Sequence, residues 1–320
     1  MSETTKPVAK IPQTSFLVCG PHSSGKTLLA AQLADYITGL SGGTMHTRMY
    51  TADKGGFDNL QSRMDKGTLK VHNAVGCKHP FEHLEQCVKG WWLDDKGEWK
   101  APTYKTWDQV GARVYEGVLS FSTAMKQSLT ENIEGGKIAV DPNAASKYER
   151  PSVYFKDGAT QVTGMPTTYY GTVYTRIEHW INMSMSYPGI TIWTSQEKDV
   201  DDAKGNAIAI GPAIEGMKLI PIIPSWFRHT FYLDNSKLKT SSKESGGSTE
   251  PHYRVYIKQH NHPTLVTVPY IGKVRLQDNI NPAKVPKWLS NDPMGVFGKP
   301  TMNVFETIFK LLAGQIPAAK

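Results

Sequence analysis

Cysteine is scarce in this chain. The 320 residues contain three, Cys19, Cys77 and Cys87. An odd, low number without paired spacing excludes a disulfide framework and predicts a reducing compartment. Cys77 and Cys87 stand near His72, His79 and His83. A zinc site is conceivable there, but the spacing matches no usual ligand pattern, and scattered surface and core residues are the default reading. Long apolar runs are missing as well. No stretch approaches the roughly 20 apolar residues of a membrane span. Met1 to Pro12 is polar and lacks the apolar core of a signal peptide. Together these absences predict a cytoplasmic protein with no membrane partner. No internal repeat is visible, and neither sign of charge dominates. The formal net charge of +7 is compatible with a nucleic-acid partner without demanding one. The remaining composition, 39% hydrophobic and 20% charged, is that of a globular chain with one large core or a core plus a small appendage.

Against this background one stretch carries a chemical demand. Gly20-Pro21-His22-Ser23-Ser24-Gly25-Lys26-Thr27 fits G-x-x-x-x-G-K-[ST]. In such a loop the glycines let backbone N–H groups wrap around the phosphates of a nucleotide. Lys26 supplies a cation to the β- and γ-phosphates, and the Thr27 hydroxyl reaches Mg²⁺. The flanks agree. Ser15 to Cys19 is a short apolar run that reads as a buried strand. Thr27 to Ala34 continues with apolar residues at helical spacing. Strand, loop and helix in that order bring the positive end of the helix to the phosphates. ATP with Mg²⁺ is the expected ligand pair, with GTP left open.

Such a site needs a second carboxylate to hold Mg²⁺ through water, expected at the end of an apolar strand beside the first. Glu116, Asp157 and Asp141 compete. Glu116 ends Arg113-Val114-Tyr115 and is favoured, because a helix follows it directly as in a βα unit. Asp157 ends Val153 to Lys156, and Asp141 stands before Pro142 in a turn-like context. Hydrolysis also needs a group to position or deprotonate water. Asp53 is the candidate, just past a strand read over 47–52, although a turn Asp before Gly55-Gly56 would look the same. Gln196 and Glu197 follow the strand 190–194 at the equivalent end, where a Gln can hydrogen-bond a γ-phosphate.

The chain alternates strands and helices early, then turns to strands. This predicts an α/β fold whose mainly parallel sheet is flanked by helices and extended by antiparallel strands. Residues 1–13 read as a flexible arm. Helices are expected over 57–64, 81–92, 120–129, 170–185 and 302–312. Residues 93–108 read as a polar connection or hairpin. The runs 138–140 and 153–155 are expected to pair. Residues 196–211 read as a polar loop, and 237–250, rich in Ser, Lys and Gly, as a mobile one. Further strands are expected at 231–233, 253–257 and 265–268, ahead of a Pro-rich stretch from 279 to 300.

Taken in order, Gly20 to Thr27, Tyr50-Thr51-Ala52-Asp53, Ile190 to Lys198, Gly211 to Lys218, Phe227 to Leu233, Tyr253-Arg254-Val255 and Gly272-Lys273-Val274-Arg275 resemble the RecA-like P-loop ATPases. The short single-domain phage versions, associated with single-strand annealing and recombination, are the nearest in pattern. The resemblance implies a RecA-like ATPase domain over 14–278 with an insertion at 121–168, followed by a C-terminal extension over 279–320. It implies Asp53 as the catalytic carboxylate, Gln196 as the γ-phosphate sensor and 198–211 as the DNA-binding loop. It also implies that Lys273 and Arg275 reach a neighbour's ATP in a homo-oligomeric ring or filament. Single-stranded DNA is the implied partner, with single-strand-binding or recombination proteins beside it, in the host cytoplasm if the chain is phage-encoded. Three features depart from that pattern. The favoured magnesium strand is Arg-Val-Tyr ending in Glu, the segment 121–168 is long, and the DNA loop carries Asp199, Asp201 and Asp202.

Lys198, Lys204, Lys218, Arg228, Lys237, Lys239, Lys243, Arg254 and Lys258, with Trp226, Phe227 and Tyr253 among them, suit a single strand held by charge and stacking. A solvated basic face over core aromatics reads equally from the same residues. Two other functions fit a P-loop. A nucleotide or small-molecule phosphotransferase needs an arginine-rich lid, and Gly135 to Met165 holds only Arg150. A nucleotide-binding assembly adaptor needs little turnover.

Overall fold

The computed structural model describes residues 11–53, 60–75, 77, 79–94, 96–134, 152–154, 161–163, 170–201, 207–215, 219–239, 249–257, 285–286, 288–290 and 303–315. The chain opens with β1 (Thr14–Cys19), α1 (Lys26–Leu40), β2 (His46–Thr51), α2 (Gln61–Asp65), β3 (Leu69–Asn73) and α3 (Pro80–Val88). The strands β4 (Trp92–Leu93) and β5 (Trp99–Lys100) and the turn α4 (Tyr104–Trp107) lead to β6 (Val110–Glu116) and α5 (Val118–Glu134). Then follow β7 (Ser152–Tyr154), β8 (Gln161–Thr163), α6 (Tyr170–Met185), β9 (Ile190–Ser195), β10 (Glu197–Asp201) and β11 (Ala207–Pro212). The remainder is α7 (Ile223–Trp226), β12 (His229–Lys239), β13 (Thr249–Tyr256), β14 (Trp288–Ser290) and α8 (Val304–Leu312).

Among the described residues, eight strands form one sheet in the order β14-β13-β12-β1-β9-β6-β2-β3. The six from β12 to β3 run parallel. β13 and β14 add to the β12 edge in antiparallel fashion. This is an α/β fold with a mostly parallel mixed sheet flanked by helices. β2, β6 and β9 are buried at every position, as strands covered on both faces must be. The period of two then splits each strand between two cores. Phe16 and Val18 join α1 and α8 on one face, while Leu17 and Cys19 join α3, α5 and α6 on the other.

The second core is rich in aromatic rings. Tyr115 stacks between Tyr50, at 5.1 Å, and Trp193, at 4.7 Å, and Phe121 meets Trp193 edge-on at 4.9 Å. Truncating a ring this deeply buried costs about 3–5 kcal/mol. The arrangement fixes β2, β6 and β9 side by side, and with them the loops at their carboxyl ends.

Several local expectations change. The helix expected over 81–92 stops at Val88, because Trp92–Leu93 pairs with Trp99–Lys100 in a hairpin. Its turn is organised by Asp94, whose carboxylate accepts from the N–H groups of Lys96 and Glu98, each at 2.9 Å. Within the segment expected as a loop, Glu197–Asp201 pairs antiparallel with Ala207–Pro212, which satisfies the backbone of both strands; 202–206 lies outside the described residues. Ser152–Tyr154 pairs with Gln161–Thr163, and 138–140 lies outside the described residues, as do 240–248 and the strand expected at 265–268. The helix expected at 57–64 is seen as α2, with 54–59 outside the described residues.

The described parts of the C-terminal extension are built into the core. β14 pairs with β13, and α8 lies on α1. The Asn303 side chain caps α8 by accepting from Phe305 N at 2.9 Å and donates to the Gln32 carbonyl at 2.7 Å. Val304 N donates to Gln32 Oε1 at 3.0 Å. Phe305, Ile308 and Leu311 are buried there. At the other end, Ile11 belongs to the core, and 1–10 of the arm expected over 1–13 lie outside the described residues.

Candidate nucleotide site

The loop 20–25 turns between β1, at the middle of the sheet, and α1. Gly20 N donates to Ser195 O at 3.3 Å. A Cβ on Gly20 would lie 2.4 Å from Leu233 O and 2.8 Å from Ser24 Oγ, so only glycine fits between β12 and the loop. Gly25 has φ 90°, in the left-handed region, and is the N-cap of α1. No side chain caps that helix and no acidic residue stands in its first turn. The positive end of a 15-residue helix therefore faces the loop without a carboxylate of its own, a setting that favours an anion.

Lys26 reaches back across the loop. Its Nζ donates to Gly20 O at 2.9 Å, Pro21 O at 2.6 Å and Ser24 Oγ at 3.4 Å. Burial lowers its pKa, while the charges of Glu116, Glu197 and Asp53 pull in the opposite direction. Its ammonium is thus held by two carbonyls and a hydroxyl of the loop that would hold phosphates.

Thr27 Oγ1 donates to Glu116 Oε1 at 2.8 Å. Glu116 is the last residue of β6 and is 8% exposed. Burial raises its pKa and the Asp53 charge adds to this, against the hydrogen bonds from Thr27 and Thr51. The carboxylate strand is not the neighbour of β1, as expected from sequence, because β9 pairs with both and stands between them. Asp157 and Asp141 lie outside the described residues. A hydroxyl and a buried carboxylate meeting at the foot of a phosphate loop fit Mg²⁺ held by Thr27 and, through water, by Glu116. Among the described residues no three His, Cys, Asp or Glu side chains converge as an all-protein cage. Mg²⁺ takes one or two carboxylates together with substrate phosphates and water, so it needs none.

Asp53 stands two residues beyond β2, with its N–H on Thr51 Oγ1 at 3.0 Å. Ser120, in the first turn of α5, donates its hydroxyl to Asp53 Oδ1. Sequence reasoning overlooked Ser120. The available signal was a hydroxyl in the first helical turn after a strand-ending carboxylate. Lys26, Thr27, Asp53 and Glu116 are therefore gathered at the carboxyl ends of β1, β2 and β6.

Gln196 is exposed at the carboxyl end of β9. Its carbonyl accepts from Ala213 N at 2.7 Å, which closes the base of the β10–β11 hairpin. Glu197 turns inward and accepts from Tyr232 Oη at 2.9 Å. The same base is tied to α5. Glu215 N donates to Ser122 Oγ at 3.1 Å, and its carboxylate pairs with Lys126 at 3.1 Å. The hairpin thus connects the neighbourhood of Gln196 with the helix that carries Ser120.

The proposed nucleic-acid half is only partly described. Lys198 and Asp199 lie on β10, and Arg228 is exposed. Phe227 is 1% exposed and belongs to the core, so it is no stacking platform, and Trp226 packs against the same core. Lys237 and Lys239 lie in β12, and Arg254 and Tyr253 in β13. Asp202, Lys204, Lys218, Lys243, Lys258, Lys273 and Arg275 lie outside the described residues. Comparison of the chain with protein-family models gives no match, and comparison with curated proteins gives none either.

Proposed function

We propose that this chain binds ATP with Mg²⁺ at Gly20 to Thr27 and hydrolyses it, as a RecA-like ATPase whose turnover is coupled to single-stranded DNA in recombination, annealing or replication. The observation that carries the reading is the hydrogen bond from Thr27 to Glu116. Two groups far apart in sequence, each expected to hold the same ion, meet beside the loop. Bound Mg²⁺ would supply charge neutralisation at the β- and γ-phosphates. The uncapped end of α1 and Lys26 bind and orient the phosphates. Asp53, held by Ser120, positions and deprotonates the attacking water. Gln196 reports the γ-phosphate to the β10–β11 hairpin, which stands where the resemblance expects a DNA-binding element.

The DNA step rests on the resemblance and on the basic residues of the later half, and the ring or filament on Lys273 and Arg275. ATP turnover measured with and without single-stranded DNA tests the reading. Stimulation by DNA is expected. Nucleotide binding without turnover would replace this reading with an assembly adaptor, and transfer to a small acceptor would replace it with a phosphotransferase.

A further inference from the structure

A second cluster of reactive side chains lies at the far edge of the sheet, away from the loop 20–27. β3 is the edge strand. His72, near its end, faces His83 of α3, with Nε2 directed at Nε2. The two rings are nearly parallel, at 12°, with centroids 4.4 Å apart. Trp99 of the β4–β5 hairpin packs on both, at 5.4 Å and 4.7 Å. Beside the pair opens a cavity of about 340 Å³ whose wall includes Cys77, His79, Glu82 and His83. All four are metal-ligand types. Cys87 is buried one helical turn beyond His83, close enough to Cys77 for their charges to interact.

We propose that His72, His83 and Cys77 bind a borderline-soft divalent ion of the Zn²⁺ class at the wall of this cavity. The two imidazole nitrogens touch each other, and a small rotation of the rings that parts them would supply half of a tetrahedral set; a thiolate is the partner that favours zinc over Mg²⁺ or Ca²⁺. Among the described residues no three ligand groups already converge, so Cys77 closes the set by turning from the cavity wall toward the two rings. Water, or His79 or Glu82 across the same cavity, completes it. The spacing becomes intelligible in three dimensions. His72 and Cys77 flank the exit of an edge strand, and His83 sits on the helix that covers it. An ion there ties β3 and α3 together beneath Trp99. The site is separate from the nucleotide loop and stands whether or not the chain hydrolyses ATP.

The full chain, stripped with a chelator and dialysed, should take up one Zn²⁺ per molecule and melt at a higher temperature with it. Co²⁺ in its place should give a tetrahedral visible spectrum with a thiolate charge-transfer band. Cys77→Ser should lose that band while the protein stays folded by circular dichroism. His83→Gln should lose the uptake. If the wild-type chain binds no Zn²⁺ or Co²⁺ beyond what His72→Gln and His83→Gln bind, the proposal is overturned and the two rings share only a proton. A cobalt spectrum unchanged in Cys77→Ser would overturn the thiolate ligand.

Discussion

Thr27 and Glu116, 89 residues apart in the chain, are joined by a 2.8 Å hydrogen bond from hydroxyl to carboxylate. The contact brings the start of α1, just after the loop 20–25, to the end of β6. Glu116→Gln keeps the shape and one acceptor but removes the charge. A partner that holds an ion through water typically accounts for about 10- to 100-fold in affinity or activity. Turnover of Glu116→Gln titrated with Mg²⁺ should fall by that order and recover in part at high Mg²⁺. Asp157→Asn, measured beside it, should keep near wild-type turnover. The reverse ranking would move the magnesium role to Asp157.

Asp53 is oriented by Ser120, which separates a chemical role from a positioning one. Asp53→Asn should lower kcat by about 10²- to 10⁴-fold, the range for a general base, with nucleotide binding retained. Ser120→Ala should lower kcat less and leave KM near its original value. Equal losses of binding in both variants would show that the pair shapes the pocket rather than the reaction.

Gly20 is wedged against Leu233 O, with no room for a Cβ. Gly20→Ala should destabilise the fold by about 1–3 kcal/mol, as overpacking does, and weaken nucleotide binding as the loop shifts. Chemical denaturation and a nucleotide titration of the same variant check both. Unchanged values for both would mean that the loop does not need this close approach.

His46 gives the fold a pH dependence unconnected with the nucleotide. Burial and the nearby Lys70, Arg48 and Arg113 cations push its pKa down to about 3. Its ordinary value is near 6.5, so between those limits the unfolded chain binds the proton more readily. The stability that this neutral His contributes is present above about pH 6.5 and is lost as pH falls toward 3. His46 alone should make the fold about 2 kcal/mol less stable at pH 5 than at pH 7.5. Denaturation of wild type and His46→Gln at both values should show a smaller pH difference in the variant.

The local parts of the site were readable before the fold. The glycines at 20 and 25, Lys26, Thr27 and the strand-ending Glu116 each follow from residue type and immediate context. Pairing between distant segments was not readable in that way. Nothing in the periodicity of 190–195 shows that β9 separates β1 from β6, because that order is set by crossovers and by packing such as Tyr115 on Trp193. The pairing of 197–201 with 207–212 is hidden by the charged run from Glu197 to Asp202, which reads as solvated loop and outweighs the short apolar run Ala207 to Ile210. The same limit hid β14 in a Pro-rich stretch and placed Phe227 among the DNA contacts when it belongs to the core. His72 and His83 looked scattered because their meeting depends on α3 folding over β3.

The central claim is that the loop 20–27 holds ATP for hydrolysis, with Lys26 as its cation. The most direct measurement is ATP turnover by the wild-type chain and by Lys26→Ala in the presence of Mg²⁺ and single-stranded DNA. The expected result is turnover in the wild type and its loss in the variant, with both proteins folded by circular dichroism. Equal turnover in the two would contradict the nucleotide assignment from which the rest of the site is built.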